Sequence, residues 1–104
     1  MLNSKQRSNL RAIASTLEPV FQLGKASVGE ESEEFTEAFL SSVNDALEAR
    51  ELIKLTVLKN AAFSARELGD ELAAKLSAEC VATIGRKIIL YRYSNKKNVK
   101  HIEF

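Results

Sequence analysis

The sequence predicts a small α/β (α+β) sandwich, with three helices packed on a four-stranded sheet in the order α-β-α-β-α-β-β. Three observations predict it. Apolar residues recur at helical spacing in three separate segments. Short apolar runs rich in β-branched residues stand between and after them. Proline and glycine fall at several joints, where chains turn. At 104 residues the chain has the length of one domain, taken as 1–104, with one modest core.

Ser4 is the expected N-cap of a first helix over about 4–17, with Leu10, Ile13, Ala14 and Leu17 as its apolar stripe. Pro19 ends it, because the residue before a proline is pushed out of the α region. Val20-Phe21-Gln22-Leu23 is a short strand, and residues 24–29 form a loop with Gly24 and Gly29. Glu30 to Glu34 suit the first turn of a second helix, where carboxylates offset the helix dipole. Phe35, Phe39, Val43, Ala46 and Leu47 carry that helix to about Arg50. Residues 52–58 form the next strand. The third helix starts at Asn60 or Ser64 and runs to about Ser77, with Phe63, Leu68, Leu72, Ala73 and Leu76 inward. Residues 79–84 and 87–93 are the last two strands, joined as an antiparallel hairpin through Gly85 and Arg86. From Ser94 a polar, basic tail (94–104) follows, in which Val99 and Ile102 have the spacing to pair briefly at an edge.

Composition is ordinary for a soluble globular domain, 45% hydrophobic and 28% charged. No apolar run is long enough to span a bilayer, and the opening Met1-Leu2-Asn3-Ser4-Lys5 leads into a basic helix rather than a signal peptide. The single Cys80 cannot form an internal disulfide, which points to a reducing, cytoplasmic setting. Set among Val81, Ala82 and Ile84, it reads as a small buried hydrophobe.

Net charge is +1, but its distribution is uneven. Residues 1–25 hold Lys5, Arg7, Arg11 and Lys25 against Glu18. Residues 30–51 hold eight acids against Arg50. Residues 86–104 hold Arg86, Lys87, Arg92, Lys96, Lys97 and Lys100 against Glu103. A fold that joins the two ends makes one cationic and one anionic face. A cationic face binds phosphates; the competing reading is that these charges only solvate the surface.

Catalytic chemistry has little to work with. His101 is the lone histidine, near a polar terminus, and fits a solvated or phosphate-facing role better than that of a base. One Cys and one His fall short of a metal site, and the acids at 30–37 lack the spacing of a calcium loop. No phosphate-binding Walker loop or dinucleotide fingerprint is present. No catalytic residue, metal or cofactor is therefore expected. The loop Gly24-Lys25-Ala26-Ser27 has small residues that would let a phosphate approach backbone N–H groups, with Lys25 adding charge; taken alone, a connection with glycines is normally just a connection. Tyr91 has two open readings, stacking on a base or packing against a helix.

Four stretches carry a family likeness. They are Ser4-Lys5-Gln6-Arg7 with Leu10-Arg11 and Ala14; Leu17-Glu18-Pro19-Val20-Phe21-Gln22-Leu23-Gly24-Lys25; Asp45-Ala46-Leu47-Glu48-Ala49-Arg50-Glu51-Leu52-Ile53-Lys54; and Ile84-Gly85-Arg86-Lys87-Ile88-Ile89-Leu90-Tyr91-Arg92. In this order they resemble the CRM domain family, specifically small bacterial stand-alone members associated with precursors of the large ribosomal subunit. The resemblance implies a fold akin to the C-terminal domain of bacterial translation initiation factor three. It also implies RNA binding through a G-x-x-G loop used as in KH domains. Here Ser27 stands where the family carries its second glycine, and serine disfavours positive φ.

The expected function is thus that of a non-enzymatic, cytoplasmic RNA-binding protein. It would act as a monomer on ribosomal RNA of large-subunit precursors, with no membrane partner. Gly24, Lys25 and Ser27 would meet phosphate; Lys5, Arg7 and Arg11 would line one side; Arg86, Lys87, Arg92, Lys96, Lys97 and Lys100 would complete the basic surface. The alternative is an adaptor that docks a basic partner, such as a ribosomal protein, through the acidic second helix.

Overall fold

The computed structural model describes residues 2–23, 35–58, 64–96 and 98–104. Its elements are α1 (Ser4–Ala14), β1 (Phe21–Leu23), α2 (Glu37–Arg50), β2 (Leu52–Val57), α3 (Ala65–Leu76), β3 (Glu79–Ile84) and β4 (Lys87–Tyr91), in the predicted order.

Local side chains set the helix starts. Ser4 is already helical, and Asn3 is the cap: its Oδ1 accepts the Gln6 N–H at 2.8 Å while Gln6 Oε1 accepts the Asn3 N–H at 3.0 Å. This reciprocal pair satisfies two otherwise orphaned donors. The helix stops at Ala14, short of Leu17, because the N–H groups of Thr16 and Leu17 bond three residues back and tighten the chain into turns. Thr36 caps α2 and Ser64 caps α3, so the later of the two expected starts is the one formed. The acids at 30–34 and the inward placement of Phe63 lie outside the described residues.

The sheet order is β1-β2-β4-β3, with β1 parallel to β2 and the other pairs antiparallel. Alternation along the strands divides the core in two. Ile53, Leu55, Val57, Ile88 and Leu90 face α2 and α3, together with Leu23 and Leu72. Leu52, Val81, Ile89 and Tyr91 face α1, against Leu10 and Ala14. The central strands are apolar on both sides for this reason, and each buried Leu or Ile contributes about 1.5–3 kcal/mol. Gly69 marks where α3 approaches closest: a Cβ there would lie 3.0 Å from Cys80 Sγ and 3.1 Å from Ile88 Cγ2. Cys80 is half-buried, and burial raises its thiol pKa.

The hairpin forms as expected, with Gly85 at φ +58°, where a side chain would be strained. β4 ends at Tyr91 rather than Tyr93, and no strand follows among the described residues. The edge pairing expected of Val99 and Ile102 is replaced by docking. Ile102 and Phe104 join the α1-side cluster, where Phe104 meets Tyr91 edge-on at 5.0 Å. Helix α1 and the tail therefore cover one face of the sheet, while α2 and α3 cover the other.

Candidate nucleic-acid interface

The cations fall at two ends of the sheet. At the hairpin end, the Arg86 carbonyl accepts the Val57 N–H at 2.7 Å, and the Leu58 N–H reaches the Leu23 carbonyl at 2.8 Å. These bonds put the Arg86 turn at the same end of the sheet as Leu23, the last residue of β1. Gly24, Lys25 and Ser27 lie outside the described residues. Arg86 is exposed and makes no side-chain bond among the described residues. Lys87 projects on the α1 side, and its Nζ donates to Thr56 Oγ1 at 2.9 Å. Strand register sets Gln22, Thr56, Lys87 and Ile84 in one row, of which Gln22 and Ile84 are exposed.

Along α1, Lys5 and Arg11 are exposed with no side-chain partner among the described residues. Arg7 is 41% exposed and sits 3.4 Å from Glu79. On the tail, Lys96 and Lys100 are exposed, and Lys97 lies outside the described residues.

Arg92 departs from the expected basic surface. Its side chain is only 17% exposed. Its guanidinium donates to the Leu76 carbonyl at 2.8 Å, the Asn44 carbonyl at 3.3 Å and Glu48 Oε1 at 3.0 Å. It thus satisfies a carbonyl at the end of α3 and ties α2 to α3. In the sequence a cation at the end of an apolar strand reads as surface charge; the fold uses it as an internal clamp.

The tail is likewise held rather than free. Glu51, fully buried, accepts the Ser94 N–H at 2.7 Å and the Ile102 N–H at 2.9 Å, and pairs with His101 Nδ1 at 2.6 Å. Burial alone would raise the Glu51 pKa; the N–H groups of Ser94 and Ile102 with the His101 side chain outweigh it and hold the carboxyl below its ordinary value. Glu48 Oε2 accepts the Ser94 hydroxyl at 3.2 Å and the Asn95 N–H at 3.3 Å. Sequence reasoning missed Glu51. The available signal was a one-residue connection between α2 and β2 with no glycine: Glu51 sits at φ +65°, where Gly is usual. Tyr91 resolves to packing, buried against Phe104.

No group of side chains among the described residues has the composition of a metal site, and no described helix is long and apolar enough to cross a membrane.

Comparison with known proteins gives consistent findings. A family model described as the CRS1 / YhbY (CRM) domain matches residues 2–92. The chain is similar to "Probable RNA-binding protein YqeI" of Bacillus subtilis, at 38% identity over 99% of this chain and 98% of that one. It is similar to an "RNA-binding protein" of Haemophilus influenzae, at 29% identity over 95% and 93% of the two chains. A solved structure, that of hypothetical protein SAV1595 from Staphylococcus aureus with a suggested RNA-binding role, superposes with a TM-score of 0.72. The two share 36% identity over 94% and 95% of the chains. None of these names describes an enzyme.

Proposed function

Because this chain belongs to the CRS1 / YhbY (CRM) domain family, we propose that it is a non-enzymatic RNA-binding protein, a cytoplasmic monomer that binds ribosomal RNA in large-subunit precursors and assists their assembly. One observation carries the electrostatic part of this reading. Helix α1 covers one face of the sheet and carries exposed Lys5 and Arg11, and the tail that docks on this face through Ile102 and Phe104 carries exposed Lys96 and Lys100, none with a carboxylate partner among the described residues. Lys87 projects on the same face, and Arg86 stands exposed at the hairpin turn beside the end of β1. Gly24, Lys25 and Ser27, which come after β1 in sequence, are further phosphate contacts in this proposal. Such contacts are largely independent of sequence and weaken with salt.

The internal use of Glu48 and Glu51 takes two acids away from the docking face that the adaptor reading invokes, and leaves Glu37 exposed on α2. Those two carboxylates fasten the tail and Arg92, so they do not belong to an outward docking face. Sedimentation of cell extract on a sucrose gradient at low and moderate salt tests the proposal. Co-migration with large-subunit precursors, released by added salt, is the expected result. A protein that stays at the top of the gradient at every salt concentration refutes the ribosomal part.

A further inference from the structure

We propose that Tyr93 is a nucleobase-stacking platform, and that the cleft it borders seats one unpaired base of a single-stranded RNA segment. This rests on the RNA-binding reading and adds to it the class of RNA feature recognised.

Tyr93 is the most exposed of the described large hydrophobic residues, at 57%. Scattered exposed aromatics are common and mean little alone. What distinguishes Tyr93 is how completely it is held. The residue before it is fixed by the Arg92 N–H bond to the Glu51 carbonyl and by the guanidinium clamp. The residue after it is fixed by the Ser94 N–H bond to the Glu51 carboxylate. The ring itself lies parallel to the His101 imidazole, with centroids 4.1 Å apart and planes at 11°, and that imidazole is in turn pinned to Glu51 at 2.6 Å. A ring ordered in advance loses little freedom when a base stacks on it.

Tyr93 also borders a cleft of about 390 Å³, formed with Leu2 ahead of α1, Gln6 of α1, Ala78 just before β3, Glu79 at its start, and Tyr91. That volume is in the small-ligand range. The Gln6 side-chain oxygen is occupied by the Asn3 N–H, which leaves its amide N–H groups as donors, and the Glu79 carboxylate is an acceptor. Together they offer hydrogen bonds to a base edge. Arg7, 3.4 Å from the Glu79 that lines the cleft, places a cation beside it for an adjoining phosphate. Single-stranded RNA is recognised by this combination of aromatic face, edge contacts and nearby cations.

The test compares binding of a short oligouridine RNA with that of an abasic ribose–phosphate oligomer of equal length, using the full chain, Tyr93→Phe and Tyr93→Leu. The unaltered protein should prefer the base-bearing oligomer about tenfold, the scale of one stacked base. Tyr93→Phe should keep that preference. Tyr93→Leu should lose it while retaining its affinity for the abasic oligomer and an unchanged salt dependence. A full preference in a folded Tyr93→Leu variant overturns the proposal. Should Tyr93→Leu not fold, photocrosslinking of oligouridine to the unaltered protein decides, since the crosslink must map to Tyr93 or its cleft. Equal binding of both oligomers by the unaltered protein overturns the stacking alone, whereas binding to neither overturns the RNA reading itself.

Discussion

The hairpin end and the tail end of the sheet both carry cations, and the fold treats them in opposite ways. At the hairpin, Arg86 stands exposed with no side-chain partner among the described residues, and Lys87 donates to the hydroxyl of Thr56. At the tail end three groups near the sheet are paired with a carboxylate: Arg92 with Glu48, His101 with Glu51 and Arg7 with Glu79. Charge counting sees one basic surface, but the structure separates charge free to meet a polyanion from charge spent on holding the chain together. A cation enclosed with its partner lends little potential to the surface, and breaking such a pair is costly.

The largest test of this division is Glu51→Ala. It leaves the Ser94 and Ile102 N–H groups and the His101 side chain without their acceptor, at a cost of about 3 kcal/mol. Urea denaturation should show that loss, whereas Arg86→Ala should stay within about 0.5 kcal/mol of the unaltered protein. Glu51→Gly should be milder than Glu51→Ala, since glycine relieves the backbone strain at φ +65°. Equal stability of Glu51→Ala and Arg86→Ala would dissolve the distinction between the two ends.

Acid probes the same carboxylate without mutation. Because folding lowers the Glu51 pKa, its contribution is fully present above the unfolded value, about 4.3, and is lost as pH falls through the lower folded value. The urea midpoint of the unaltered protein should therefore fall more steeply below about pH 4.3 than that of Glu51→Gln. Parallel pH profiles would mean that the carboxylate is not what fastens the tail.

RNA affinity should divide the ends in the other direction. Arg86→Glu should weaken binding about tenfold and flatten its salt dependence by roughly one phosphate contact. Arg92→Gln should lower stability and leave the salt slope unchanged, because its guanidinium is already shared among Leu76, Asn44 and Glu48. An altered salt slope in Arg92→Gln would return that residue to the interface.

The parts of this arrangement legible in the sequence are those that depend on near neighbours. Leu10, Ala14, Val43, Leu47, Leu68 and Leu72 declare their helices by spacing alone, and all six are buried. Gly85 marks its hairpin because only a turn needs positive φ there. Asn3 rather than Ser4 as cap is a one-residue matter, settled by whether the Gln6 side chain can reach back. The Glu51 network could not be read in this way. Its partners lie 43 to 51 residues away, and composition sees only an acid at the end of a helix. The clamp role of Arg92 is hidden for the same reason, since its acceptors come from two different helices. Long-range polar satisfaction leaves no periodic trace, so charged residues next to apolar strands are where reading by pattern fails.

Arg7 and Glu79 lie on the boundary between the two behaviours and offer the finest test. Their separation is 3.4 Å, and at 41% and 33% exposure both remain in contact with water. A pair of this kind contributes only about 0.2–1 kcal/mol. Glu79→Gln should therefore leave the urea midpoint almost unchanged. It should also release Arg7 toward solvent and remove a negative charge beside the proposed RNA-facing surface. The expected gain in RNA affinity is small, on the order of twofold at low salt, and should vanish at high salt as screening closes in. A gain that persists at high salt would point to a contact other than charge. Glutamine keeps an acceptor oxygen for a base edge in the cleft beside Tyr93, so weaker binding in Glu79→Gln would show that the charge of the carboxylate strengthens that hydrogen bond by more than it repels the phosphates.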